Sequence, residues 1–170
     1  MPENIVDNYG WTEASGPQSC GYIAPEVVRV LKQLGVRRVL DLGSGNGALC
    51  QHMQEQGFHS VGVEYDKNGV ALARASHPHI SFYNFGVPDD PALLANQEAP
   101  FDAVVSTEVI EHLFSPHLLP LYAAGVLKPN GYLILTTPYH GYLKNLALSV
   151  LGQWGLAGLA AYPISGKAWW

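Results

Sequence analysis

Val39-Leu40-Asp41-Leu42-Gly43-Ser44-Gly45-Asn46-Gly47 joins an apolar run to a turn in which every second residue is glycine. Arg37 to Leu42 reads as a buried strand, and the residues after Gly47 as a helix to about Gln56, stopped by Gly57. Glycines at such a strand-to-helix turn let the backbone bend sharply and approach a ligand without side-chain clashes. The helix then aims its first amide groups at that ligand. Gly43, Gly45 and Ala48 also satisfy the G-x-G-x-x-G/A spacing of dinucleotide sites, so a nicotinamide cofactor competes at this point. Asp41 argues the other way. A carboxylate beside the turn repels a pyrophosphate but suits the ammonium of an amino-acid-bearing cofactor.

Outward from this stretch, strands and helices alternate. Residues 1–21 are polar and Gly/Ser-rich and read as an irregular arm. Pro25 is placed to open a helix carrying Val27, Val30, Leu31 and Leu34 at helical spacing, capped by Gly35. Toward the C-terminus, Ser60 to Glu64 gives a second strand, and Asp66 is placed to cap the helix with Val70, Ala71, Leu72 and Ala73. Ile80 to Phe85 and Phe101 to Ser106 give two more strands. Pro116 to Leu127 is helical, Lys128-Pro129-Asn130-Gly131 a turn, and Tyr132 to Thr137 a fifth strand. The alternation predicts an α/β fold, a doubly wound, mostly parallel sheet with helices on both faces. The core spans residues 22–140. The apolar, Gly-rich tail, 141–170, reads as helical and loop-like rather than strand-forming.

At 170 residues, 48% hydrophobic and only 14% charged, the chain suits one globular domain and excludes disorder. A net charge of −5 leaves no basic face, which argues against extended nucleic-acid binding. Cys20 and Cys50 are too few for a disulfide framework and lack metal-ligand spacing. The N-terminus has no signal-peptide pattern, and the apolar run Leu146 to Tyr162 falls short of a transmembrane segment, so the expectation is a soluble, cytoplasmic protein.

Two further constellations carry chemistry. Glu64 ends the second strand, where an acid can accept hydrogen bonds from both ribose hydroxyls of an adenosine, and Tyr65 is placed to lie against an adenine or simply to pack at the surface. In Glu108-Val109-Ile110-Glu111-His112, a helical turn would turn Glu108, Glu111 and His112 to one face. That set suits a divalent ion (Mg²⁺, Mn²⁺ or Zn²⁺) able to lower a hydroxyl pKa. Metal-free catalysis with His112 as general base, or a purely structural role, remain open beside it. His140 is a conceivable extra ligand. His52, His59, His77, His79 and His117 have no useful spacing.

Val39 to Gly47, Gly62-Val63-Glu64, the run from Phe101 to His112 and Leu127 to Leu133 resemble, in order, the motifs of class I S-adenosylmethionine (SAM) dependent methyltransferases. Within that superfamily, Gly21-Tyr22-Ile23-Ala24 is similar to the ubiquinone-biosynthesis O-methyltransferase group. The resemblance covers roughly residues 19–140 and implies a Rossmann-like fold with SAM as cofactor. Gly43, Ser44, Gly45 and Gly47 would touch its amino-acid part with Asp41 beside them, Glu64 its ribose with Tyr65 nearby, and Thr107 its outer side. It implies methyl transfer to an oxygen of a small-molecule acceptor, with Glu111 and His112 orienting or deprotonating that oxygen; triads like Glu108, Glu111 and His112 look like metal ligands in some relatives. Two departures stand out. Ser19 replaces an arginine usual before the Gly-Tyr-Ile stretch, and the family's two final strands, the last antiparallel, are expected to be missing or divergent. The residues after Thr137 are too few for them at ordinary lengths. The expected consequence is an open sheet edge, covered by the tail or by another subunit in an oligomer. The competing readings are a SAM-binding relic without catalysis, and an NAD(P)-dependent oxidoreductase using the same turn.

Overall fold

The structure, a computed structural model, describes residues 20–137 and 158–163. The expected arm as far as Ser19, His140 and most of the tail lie outside these residues.

Helix α1 (Cys20–Leu34) buries Ile23, Val27 and Leu31 along one face and ends at Gly35, whose φ of 65° suits a glycine terminator. Pro25, expected to open this helix, lies inside it. The apolar face already includes Ile23 and Ala24, so burial carries the helix past the one backbone bond that proline cannot donate. There follow β1 (Arg38–Leu42), α2 (Ala48–Glu55), β2 (His59–Val63), α3 (Lys67–Ser76) and β3 (Ser81–Tyr83). Asp66 caps α3 as expected, accepting from the Asn68 amide at 2.9 Å. The second half comprises the short α4 (Ala92–Ala95), β4 (Phe101–Thr107), a 3-10 turn (Ile110–His112), α5 (Leu118–Val126), β5 (Leu127–Thr137) and β6 (Gly158–Pro163).

The strands form one sheet in the order β3-β2-β1-β4-β5-β6, parallel except for β6. The chain winds outward from β1 to β3, then returns to β4 beside β1 and winds outward again. Helices α1, α2 and α3 cover one face and α5 with α4 the other. Strand alternation sorts the core accordingly: Val39 packs with Val27, Leu31 and Met53, whereas Leu40 and Leu42 pack with Leu119 and Tyr122. Because β2 and β4 flank β1 through connections that leave in opposite directions, a crevice opens at the carboxyl ends of these three strands.

Two expectations are corrected. The Lys128–Gly131 turn lies within β5, as an irregularity where Phe101 faces Leu127 but Ala103 faces Tyr132; Asn130 takes a φ of 63° there. The tail is not free of strands: β6 pairs antiparallel along β5 from Tyr132↔Pro163 to Thr137↔Gly158, so of the two expected covers for the β5 edge, the tail or another subunit, it is the tail that takes it. Gly-Leu-Ala-Ala-Tyr-Pro has no period-2 pattern to announce a strand; its conformation comes from the β5 ladder.

Candidate functional site

A cavity of about 730 Å³ occupies this crevice. Its floor is the glycine turn, with Gly43, Gly45 and Gly47 at φ 89°, 53° and 82°. The amides of Gly43 and Ser44 both donate to the Val63 carbonyl, at 2.8 and 2.9 Å, which fixes the turn against β2. A Cβ on Gly43 would run into the Val109 side chain, so this position needs glycine for both backbone and space. Gly47, expected among the ligand contacts, does not line the cavity. Its φ is also positive, and a Cβ there would come within 2.6 Å of Phe82, so its glycine serves the packing of α2 against the sheet.

Two acids sit at the strand ends. Glu64 is 7% exposed, and its carboxylate accepts from the Gly45 amide (2.8 Å, Oε2) and the Asp66 amide (2.7 Å, Oε1). Burial raises its pKa, and these amides work against the rise. Asp41 is 1% exposed. Its Oδ2 accepts from the Cys50 thiol at 3.5 Å, whereas the buried Oδ1 has no hydrogen-bond partner among the described residues. Burial pushes its pKa up to about 7, with Glu64 adding to the rise and Cys50 opposing it. A buried, unsatisfied carboxylate oxygen on a cavity wall is costly unless a donor arrives from the cavity.

The remaining expected residues divide. Ser44, Tyr65, Thr107, Glu108 and His112 line the cavity; Glu111 is exposed and does not. The Tyr65 ring lies over Gly86, where a Cβ would come within 2.7 Å of it. The turn after β4 is not the helical one required to align Glu108, Glu111 and His112: Glu108 has a φ of 55°, and only Ile110–His112 is helical, of the tight 3-10 kind. Among the described residues no three His, Cys, Asp or Glu side chains are already grouped to hold a metal, although Glu111 and His112 lie close enough for their charges to act on Glu108. Sequence reasoning missed Asn46, 1% exposed within the turn itself, and the apolar wall of Phe85, Val87, Pro88, Leu113, Phe114 and Leu118. Asn46 was legible from its place between two glycines. The wall comes from loops, which carry no periodicity.

Residues 18–165 match a methyltransferase domain family. The chain belongs to that family. Within this class I, SAM-dependent family it is 33% identical over 126 residues to the ubiquinone biosynthesis O-methyltransferase of Maricaulis maris, covering 72% of this chain and 48% of the relative. The protein of the same name from Xylella fastidiosa is 30% identical over 151 residues, covering 84% and 60%. The methyltransferase domain described here thus spans about half the length of the relatives it matches. Similar solved structures include a SAM-bound amino pentose methyltransferase from Micromonospora echinaspora (TM-score 0.59, 23% identity, 66% of this chain and 48% of that one). Another is a SAM-dependent methyltransferase from Clostridium acetobutylicum (TM-score 0.58, 12% identity, 68% and 49%). At these identities they establish the fold. None of these matches supports the oxidoreductase reading of the glycine turn.

Proposed function

We propose that this methyltransferase domain holds SAM in the cavity over β1, β2 and β4 and directs its methyl group to an oxygen of a small molecule. The observation that carries the reading is the orphaned Asp41 Oδ1, buried on the cavity wall beside a turn whose backbone is open to a ligand. The residues fit the cofactor. Asp41 receives its ammonium, and the backbone of Gly43, Ser44 and Gly45 runs along its amino-acid part. Glu64, its carboxylate oriented by backbone amides, accepts from the ribose hydroxyls. Tyr65 flanks the adenine and Thr107 the outer side. When bound, the cofactor supplies a sulfonium-activated methyl group.

The chain's own contribution is positioning, since in-line displacement needs the acceptor oxygen about 3 Å from the methyl carbon. His112, on the wall and near solvent, takes the acceptor proton and passes it out. Glu111 lies outside the lining and acts through its neighbours, its charge bearing on Glu108. The test is calorimetric titration with S-adenosylhomocysteine. Binding that disappears in Asp41→Ala/Glu64→Ala is expected; a folded chain that ignores this ligand would refute the reading. Binding without turnover on any hydroxyl acceptor would favour the cofactor-binding relic.

A further inference from the structure

A thiol stands behind the Asp41 carboxylate. Alternate positions of β1 face α1 and α2, and Asp41 follows Val39 on that face, where it meets Cys50 of α2. Cys50 is 0% exposed and does not line the cavity, whereas Asp41 does. The Cys50 thiol donates to Asp41 Oδ2 at 3.5 Å, and the oxygen left without a partner among the described residues is Oδ1. The helix is pinned at this point. The buried Ser60 hydroxyl of β2 shares its donation between the Cys50 carbonyl (2.9 Å) and Gln54 Oε1 (3.1 Å), which fixes the thiol over β1.

The kind of donor matters. A lysine or arginine in this place would neutralise Asp41 and compete with an incoming ammonium. A thiol is a weak, uncharged donor, sufficient to orient a carboxylate and too weak to cancel its charge. It remains a donor, because burial, with the Asp41 charge and hydrogen bond adding to it, holds its pKa well above the usual thiol value. The titratable groups bearing on Asp41 are Cys50 from α2, Glu64 from the end of β2 and Cys20 from the start of α1. Burial pushes the Asp41 pKa up to about 7, the Cys50 bond draws it down and the Glu64 charge raises it further. Among these neighbours Cys50 is the one that favours the charged carboxylate.

Resting on the methyltransferase reading, we propose that Cys50 is a positioning residue for the cofactor: its thiol turns Asp41 so that Oδ1 meets the ammonium, and keeps that carboxylate receptive to the charge. Cys50 acts only through Asp41, since it does not reach the cavity itself. Without the thiol, neither oxygen of the buried carboxylate has a donor until the ligand arrives. Its proton is then held more tightly, and the ammonium displaces it at greater cost.

The experiment follows S-adenosylhomocysteine affinity by calorimetry between about pH 6 and pH 8 in wild type, Cys50→Ala and Cys50→Ser. Carbon NMR follows the Asp41 carboxyl titration in the same three chains without ligand. Cys50→Ala is expected to bind about threefold more weakly than wild type at pH 6, with the gap narrowing toward pH 8 and the carboxyl titration moved to higher pH. Cys50→Ser restores a donor and is expected to bring both measurements back toward wild type. A side chain that only fills space would lower affinity by one factor at every pH and leave the carboxyl titration in place. That pattern, or a serine variant that follows alanine in both measurements, would overturn the inference and leave the cofactor reading standing. A wild-type chain that binds no S-adenosylhomocysteine would overturn that reading, and this inference with it.

Discussion

On the glycine-turn side of the cavity, Glu64 grips the amides of Gly45 and Asp66 at 2.8 and 2.7 Å, and two further amides of the turn share the Val63 carbonyl. On the other side Glu108 leans on Thr136, while Glu111, His112 and the 93%-exposed Phe114 stand at or near solvent. One wall is backbone held by buried groups, and the other is side chains on a loop. On the proposed function, the difference matches two tasks. A cofactor common to a family can be met by fixed backbone amides, whereas an acceptor that varies is met by side chains that can be exchanged without unfolding the domain.

The contrast can be broken most forcefully at Gly43. Gly43→Ala forces a left-handed alanine into Val109, and we expect a loss of about 3 kcal/mol in urea unfolding together with loss of S-adenosylhomocysteine binding. A variant that unfolds at the wild-type midpoint would show that the turn is not rigid.

Asp41→Asn comes next and acts through pH. Asp41 is raised from 3.8 to about 7 in the folded chain, so between those values the folded state keeps a proton that the unfolded state has released. Its contribution to stability is therefore fully present below about pH 4 and is lost as pH rises through 7. The asparagine variant should flatten this slope. It should also bind S-adenosylhomocysteine about tenfold more weakly at pH 8, where the wild-type carboxylate is charged. An unchanged pH profile would remove Asp41 from the cofactor wall.

Smaller effects belong to the loop side. Thr136→Val deprives Glu108 of a side-chain partner and should cost about 1 kcal/mol, lowering turnover while S-adenosylhomocysteine affinity stays the same. Glu111→Gln is the mildest. Methyl transfer within about twofold of wild type is expected for an exposed residue outside the lining, and a collapse of activity would return Glu111 to the chemistry.

The same division governs what the sequence made legible. The strand Arg38–Leu42, the turn after it and the acids Asp41 and Glu64 could be read directly, because each is specified by its nearest neighbours in the chain. Gly47 could be seen to matter but not why, since the residue that forbids a side chain there is Phe82 of β3. The Glu108 turn was read as helical because its spacing allows a helix. Its true conformation depends on Thr136, a contact 28 residues away in the chain. The strand β6 was missed for a related reason, as its identity resides in the edge of β5. Pro25 misled in the opposite direction, a strong local signal overruled by burial of the whole α1 face.

On the proposed function, the buried Oδ1 of Asp41 also makes ligand capture an exchange with the solvent. The arriving ammonium takes the place of the proton that burial holds on this carboxylate near neutral pH, releasing it to the buffer. The heat of binding measured at pH 7 therefore includes the ionisation enthalpy of whatever buffer accepts it. Titrations in phosphate and in Tris should differ by that amount multiplied by the fraction of protons released, and in Asp41→Asn the two heats should coincide.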